Sequence, residues 1–446
     1  MKKTDFSGAH GWAGPPVALL WDQSLIWGLL CIDTLSTLGV PFRLLNASEI
    51  CADCLDAFRI LLVPGGWAAH KVRALGETGR LKIAKFIEEG GSYMGFCGGA
   101  GLALSSPPAL YLTPVRRMPL SERLPSASGE IHISGALLHP AWQNIPQEIP
   151  VSVWWPSQFL LESGSAVSCL ASYSAPGAGF QVADLRVSDV DESARWGELE
   201  KAYGINLDPA RIKGHPAIIE VEKGKGRLVL SYAHLETPGD SWGNRLFFNI
   251  LNYLNDSSAI STLRELPGAQ YFHARPGIHY PSSGVLKAKQ AAADLIAFGE
   301  ANQLWNWRKP WLLNWKRGIR GLEYGTLYVA LCYMVDLEQK LAAESSGSGP
   351  AVSGANWPER TEELEEKTLE FCALAERLLF EEKIATLTGT VSKLGKVNER
   401  VDTLRISLFG NKMNHGGLCG ALFDLIDRML LDLIRGAGEN NPRKHS

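Results

Sequence analysis

Gly95-Phe96-Cys97-Gly98-Gly99 is the sharpest chemical signal in the chain. It follows Ser92-Tyr93-Met94-Gly95-Phe96, which reads as a buried strand, and precedes a helical run from Ala100 to Leu104. That is the strand–turn–helix context of a nucleophile elbow, with cysteine in place of serine. So sharp a turn crowds the backbone, and its flanking positions favour glycine. A thiol at the start of a helix meets the positive end of the dipole and unpaired N–H groups, which favour thiolate. The competing reading is a small buried cysteine in a glycine-rich turn.

A cysteine nucleophile needs a base, and the base needs a carboxylate to orient it. Tyr232-Ala233-His234-Leu235-Glu236 lies just past a predicted strand, Arg227–Ser231. In extended conformation His234 and Glu236 leave the same face, so Glu236 would hold His234 in the required tautomer. Val63-Pro64-Gly65-Gly66 closes another predicted strand. Backbone N–H groups of Gly66 and Gly98 would there form an oxyanion hole, although the same residues also spell an ordinary tight turn. Gly65, Gly99 and Gly101 are the candidates to line a substrate pocket.

The elements that must position these residues alternate. Val17–Trp21, Phe42–Leu45, Ile60–Val63 and Ser92–Phe96 are short apolar runs. Helical stretches separate them. One is capped by Ser24 and ends near Gly39, and another turns Leu81, Ala84, Phe86 and Ile87 inward before Gly90-Gly91. Buried strands joined by amphipathic helices predict a doubly wound, flavodoxin-like, mostly parallel α/β sheet. From 110 to 214 the pattern is irregular, with strands near Val151–Trp155 and Gly179–Ala183 and a charged insertion from Asp184 to Lys213. Lys223-Gly224-Lys225-Gly226 joins two apolar runs as a hairpin. The remainder reads as nearly all helix, with apolar stripes along Glu362–Lys383, Leu394–Leu408 and Leu418–Leu433. Such stripes predict a helical bundle core, or a helical hairpin for partner contact. Two domains are therefore expected, 1–258 and 259–446, with a flexible linker near 343–357.

Composition narrows the function classes. The 446 residues are 46% hydrophobic and 20% charged, a globular balance. A formal net charge of −3 provides no basic field for nucleic acid. Eight scattered cysteines do not make a disulfide scaffold. The apolar run Gly325–Val335 is too short for a membrane span of ~20 residues. A cytoplasmic protein is expected. Cys51-Ala52-Asp53-Cys54 has no second ligand pair, His132 and His139 read as loop residues, and neither a metal nor a cofactor is expected. Trp305, Trp307, Trp311 and Trp315 alternate with basic residues, which suits a bundle core or a protein contact.

Taken together, strand-Pro64-Gly65-Gly66, then Gly95-Phe96-Cys97-Gly98-Gly99, then His234-Leu235-Glu236 resembles the class I glutamine amidotransferase-like fold. Within it, the chain is most similar to the domain at the N-terminus of some biotin–protein ligases. Leu61–Gly66, Ile83–Gly91, Tyr93–Ala100 and Gly226–Glu236 carry that resemblance, which covers about residues 15–255. It implies a Cys97–His234–Glu236 triad and a thioester intermediate. Glutaminases of the family usually carry Gln four residues after the nucleophile, whereas this chain has Gly101, which predicts little or no turnover of free glutamine. Leu235 replaces the usual proline and keeps the spacing. Lys316–Gly321 has no companion motif, so biotin ligation is not expected. The leading expectation is thiol-dependent amide or γ-glutamyl hydrolysis or transfer on a small amide-bearing substrate. The alternative is a non-catalytic ligand-binding or regulatory module with a helical interaction domain.

Overall fold

The computed structural model describes residues 12, 14–161, 166–190, 195–255, 282–345, 356–388, 397–410 and 415–437. Those up to 255 belong to one compact unit and those from 282 to 437 to a second. The expected boundary at 258, most of the expected linker and Leu394 lie outside the described residues.

The first unit begins as an alternating α/β chain: β1 (Val17–Leu20), α1 (Ile26–Thr37), β2 (Phe42–Leu45), α2 (Ala47–Cys51), β3 (Ile60–Val63), α3 (Ala68–Glu88), β4 (Ser92–Phe96) and α4 (Gly98–Leu102). Every residue of β1, β3 and β4 is buried, as strands covered on both faces require. An irregular middle follows, with β5 (Arg116–Arg117), β6 (Ala127–Gly135), β7 (Glu148–Trp154), β8 (Phe159–Leu160), β9 (Val167–Pro176), β10 (Gln181–Val182), β11 (Leu185–Arg186) and α5 (Trp196–Tyr203). The hairpin β12 (Pro216–Lys223) and β13 (Gly226–Ser231) returns the chain to the sheet, and α6 (Ser241–Asn255) covers it.

The strand order places β2-β1-β3-β4-β13 side by side, all parallel. This is the flavodoxin-like order, and its ligand crevice lies outside the C-terminal ends of the strands. Antiparallel strands β12, β9, β6, β7, β10 and β11 extend the sheet beyond β13. Phe96 meets Phe247 of α6 edge to face, with centroids 5.2 Å apart. That contact joins the strand before the elbow to its covering helix.

Two local expectations are corrected. Ser24 does not cap α1, which starts after Leu25 at φ 44°. Its hydroxyl instead donates to Leu20 O at 3.0 Å and accepts from the buried Lys71 at 2.6 Å. Leu81 is 53% exposed, while Ile83, Ala84, Phe86 and Ile87 are buried. The buried stripe after the non-helical Gly76 runs through Gly79, Ile83, Phe86 and Ile87, and Leu81 falls off that stripe at 100° per residue.

The second unit holds α7 (Ser283–Ala301), α8 (Gly321–Ser345), α9 (Trp357–Thr388), α10 (Glu399–Phe409) and α11 (Gly417–Gly436). The tryptophan-rich segment is not helical. It forms an antiparallel hairpin of β14 (Trp305–Lys309) and β15 (Leu312–Trp315). Trp305 is buried, donates to Ile296 O at 3.0 Å and packs against Tyr324, so this segment contributes to the unit's core. Arg405 donates to the buried Glu382 at 2.8 Å. Among the described residues no helix is long and apolar enough to cross a membrane.

Candidate active site

Cys97 is the residue between β4 and α4, with φ 45° and ψ −104°. A non-glycine residue at such φ is strained, and strain of this kind persists where the surroundings hold it. The surroundings do hold it. Cys97 N donates to Ser231 O at 2.8 Å, which ties the elbow to β13, and Gly101 N donates to Cys97 O at 2.8 Å. No side chain caps α4. The Cys97 thiol is half-buried, and the Trp154 carbonyl lies 4.0 Å from its sulfur.

The flanking glycines are required by contact rather than by general flexibility. A Cβ on Gly98 would collide with the carbonyl oxygen of Gly66 and lie 2.8 Å from its carbonyl carbon. A Cβ on Gly99 would collide with Val63 O. The turn after β3 and the start of α4 therefore touch backbone to backbone. Gly66 itself has φ 101°, and a side chain there would meet Gln23 O at 2.6 Å.

His234 and Glu236 are completely buried, and His234 Nδ1 lies 2.7 Å from Glu236 Oε1. The expected extended geometry is corrected. His234–Thr237 is a turn closed by Thr237 N donating to His234 O at 3.0 Å, and the turn folds the two side chains together. Several partners clamp it. His234 N donates to Ser152 O at 2.8 Å, Thr34 Oγ1 to Glu236 O at 2.8 Å, Asn244 Nδ2 to Leu235 O at 2.7 Å, and Trp154 Nε1 to Thr237 Oγ1 at 3.1 Å. Trp27 covers the imidazole, with centroids 4.8 Å apart. Burial alone would lower the His234 pKa. The Glu236 carboxylate and the nearby Cys97 outweigh burial and raise it. Glu236 holds Nδ1, and the Cys97 side chain is within interaction range of the ring.

The three pocket glycines have different neighbours. Gly65 backs onto the Trp27 ring, with a Cβ there 3.0 Å from Cγ, and Gly99 faces the end of β3. A Cβ on Gly101 would collide with the Arg117 guanidinium. Arg117 is thus a residue of this site that sequence reasoning missed. It lies 20 residues beyond Cys97 in an irregular stretch, and the pairing of β5 with β8 and the Arg117 N–H donated to Ser106 Oγ at 2.9 Å bring it back. His139 is placed elsewhere, with Nε2 3.4 Å from Glu220. His132 lies 3.3 Å from Glu148 through Nδ1. Cys51 and Cys54 are not joined in a disulfide, and Cys51 Sγ donates to Leu75 O at 3.6 Å. Among the described residues no group of three or more His, Cys, Asp or Glu side chains is placed to hold a metal ion.

Residues 54–106 match the family described as biotin-protein ligase, N terminal. That segment runs through β3, the Pro-Gly-Gly turn, α3, β4, the elbow and α4. No curated protein matches the chain. A solved structure of a protein described as ThuA-like from Bacteroides uniformis is 12% identical over 55% of this chain and 94% of its own, with a TM-score of 0.35. A protein described as a GMP synthase subunit, from Thermoplasma acidophilum, is 15% identical over 54% and 94%, with a TM-score of 0.32. A glutamine amidotransferase from Thermotoga maritima is 10% identical over 55% and 100%, with a TM-score of 0.33. The fold assignment rests on this chain's own strand order rather than on those scores.

Proposed function

We propose that the chain is a thiol-dependent amide or γ-glutamyl hydrolase or transferase acting through Cys97, His234 and Glu236. The observation that carries this reading is the buried His234–Glu236 pair at 2.7 Å beside a cysteine held at φ 45° on a strand–helix elbow. A positively charged imidazole next to a thiol favours the thiolate, and a buried carboxylate fixes both its tautomer and its direction.

In this reading His234 Nε2 already carries the proton of the Cys97 thiol, and the thiolate sulfur attacks the amide carbonyl carbon. The carbonyl π electrons move to oxygen, and the backbone N–H groups of Gly66 and Gly98 receive the oxyanion. Collapse breaks the C–N bond. The amine leaves with the proton from His234, and the acyl group remains on Cys97 as a thioester. Water, or an acceptor amine, then attacks the thioester with His234 as base, and the thiol is restored. Glu236 orients the ring throughout.

Alkylation of the eight cysteines by iodoacetamide, followed peptide by peptide, tests this reading. Cys97 should react faster near neutral pH than the exposed Cys169, and far faster than the buried Cys372, whose thiol burial pushes up to about 12. His234→Ala should slow labelling of Cys97 alone. Labelling of Cys97 no faster than that of Cys169, and indifferent to His234→Ala, would turn the reading toward a non-catalytic ligand-binding module.

A further inference from the structure

Next to the elbow the fold buries polar groups that the mechanism above leaves unused. Tyr173 and Tyr232 are 2% and 1% exposed; the Tyr173 hydroxyl has no hydrogen-bond partner among the described residues, and the Tyr232 hydroxyl has only Ser157 and Arg117 within reach. The Nε atoms of Arg117 and Arg123 are buried and likewise unpartnered. Buried polar atoms are normally satisfied, so three such atoms around Tyr232 call for a physical reason.

They are in one place because the chain brings them there. Arg117 pairs with Phe159 across β5 and β8. Phe159 stacks on Tyr232, with centroids 4.3 Å apart. Tyr232 follows Ser231, whose carbonyl holds the Cys97 N–H. Arg123 reaches Ser157 Oγ through Nη1 at 3.0 Å. The loop carrying Arg123 is pinned by Asn206, which donates to Arg123 O at 2.7 Å. Electrostatic coupling traces the same cluster. After burial, the charges acting on Tyr173 are those of Tyr232 and Cys97, Arg117 and Cys97 both act on Tyr232, and burial and Arg117 hold Arg123 below its ordinary value.

The two arginines have no carboxylate partner among the described residues. Both arginines are half-buried, and like charges held together where water is partly excluded destabilise a fold unless a counter-charge joins them. A guanidinium fork matches a carboxylate in two parallel hydrogen bonds, and phenol hydroxyls are natural further donors. We propose that the pocket formed by Arg117, Arg123, Tyr173 and Tyr232 binds a carboxylate of the same substrate whose amide carbonyl Cys97 attacks. The substrate class is then an amide with an acidic acyl group. Gly101 is small because Arg117 occupies the space beside it. This inference rests on the thiol-nucleophile reading for its chemistry, but the carboxylate pocket can be measured separately.

Iodoacetate and iodoacetamide differ in carrying a carboxylate or a neutral amide, and both alkylate cysteine. In the full chain, the iodoacetate-to-iodoacetamide rate ratio at Cys97 should exceed the ratio at the exposed Cys169. Arg117→Gln and Arg123→Gln should each lower it about tenfold, the loss of one charge-assisted hydrogen bond, while iodoacetamide rates stay within about threefold. Tyr173→Phe and Tyr232→Phe, which keep the core shape, should lower it less. Glutarate should also protect wild-type Cys97 from iodoacetamide where glutaramide does not, with no substitution needed. A ratio at Cys97 equal to that at Cys169 and unmoved by the arginine variants would overturn the pocket while leaving the nucleophile standing. If Cys97 is inert to both reagents, the nucleophile reading fails, and thermal stabilisation of Cys97→Ser by glutarate, lost in the added Arg117→Gln, decides the pocket alone. No stabilisation there, or a larger one from inorganic phosphate, would overturn the carboxylate assignment.

Discussion

Gly98→Ala separates the two parts of the proposed chemistry. The added methyl would lie 2.8 Å from Gly66 C, 3.2 Å from Gly66 N and in collision with Gly66 O. An ordinary carbon contact needs about 3.5–4.0 Å, so the start of α4 and the Pro-Gly-Gly turn must move apart by about 1 Å. Both partners are backbone, and no flexible side-chain end is available to give way. Overpacking of this kind costs about 1–3 kcal/mol. At ~2–4 °C per kcal/mol for a domain of this size, Tm should fall by about 2–12 °C. The same displacement parts the two donors of the proposed oxyanion hole, and a 1 Å misplacement at a reacting centre costs about 100-fold. Acylation of Cys97 by p-nitrophenyl acetate passes through a tetrahedral oxyanion, whereas alkylation by iodoacetamide does not. Acylation should therefore drop about 100-fold in Gly98→Ala, with alkylation within a few-fold of wild type. Gly179→Ala, where a Cβ meets nothing within 4 Å, is the control and should change neither rate. Equal losses in both reactions would mean that the thiol, not the oxyanion site, had been disturbed. An unchanged acylation rate with a lowered Tm would refute the role given to Gly66 and Gly98.

Three further outcomes are expected. The His234 pKa is pushed up to about 10, so the stability from its charged form is fully present below the unfolded value of ~6.5 and is lost as pH rises toward 10. Wild-type Tm should decline across that window more steeply than in Glu236→Gln; parallel curves would remove Glu236 as the cause. Free glutamine should give little or no ammonia, because Gly101 and Arg117 stand where a glutaminase-type side chain would reach; ammonia release at an ordinary amidotransferase rate, absent in Cys97→Ser, would show otherwise. Phe247→Ala removes a fully buried ring packed on Phe96 and should cost about 3–5 kcal/mol by thermal or denaturant unfolding; a cost below ~1 kcal/mol would mean that the elbow strand does not depend on α6.

What the residues determined without coordinates was what is local. Glycines on both sides of Cys97, a strand before it and a helix after it specify an elbow because the backbone contacts that exclude side chains involve residues adjacent to the turn or one strand away. The alternation of buried runs and helices likewise specifies a parallel sheet, since strands covered on both faces must be apolar throughout. The spacing of His234 and Glu236 pointed to a pair, but for the wrong backbone: a turn unites them, closed by a hydrogen bond that spacing does not reveal. Leu81 is exposed because the buried stripe of α3 is centred on Gly79, Ile83 and Ile87, a face that Leu81 does not share. The tryptophan segment read as helix among helices, and became a hairpin once Trp305 could pack on Tyr324. Only tertiary structure decided that Arg117 stands beside Gly101, that Tyr232 and Arg123 gather near it, and that Tyr173 couples to Tyr232 and Cys97. These residues come from β5, β9, the end of β13 and a loop, and no periodicity links them. Their meeting is set by strand pairing across the sheet and by burial, both of which act between residues far apart in the chain.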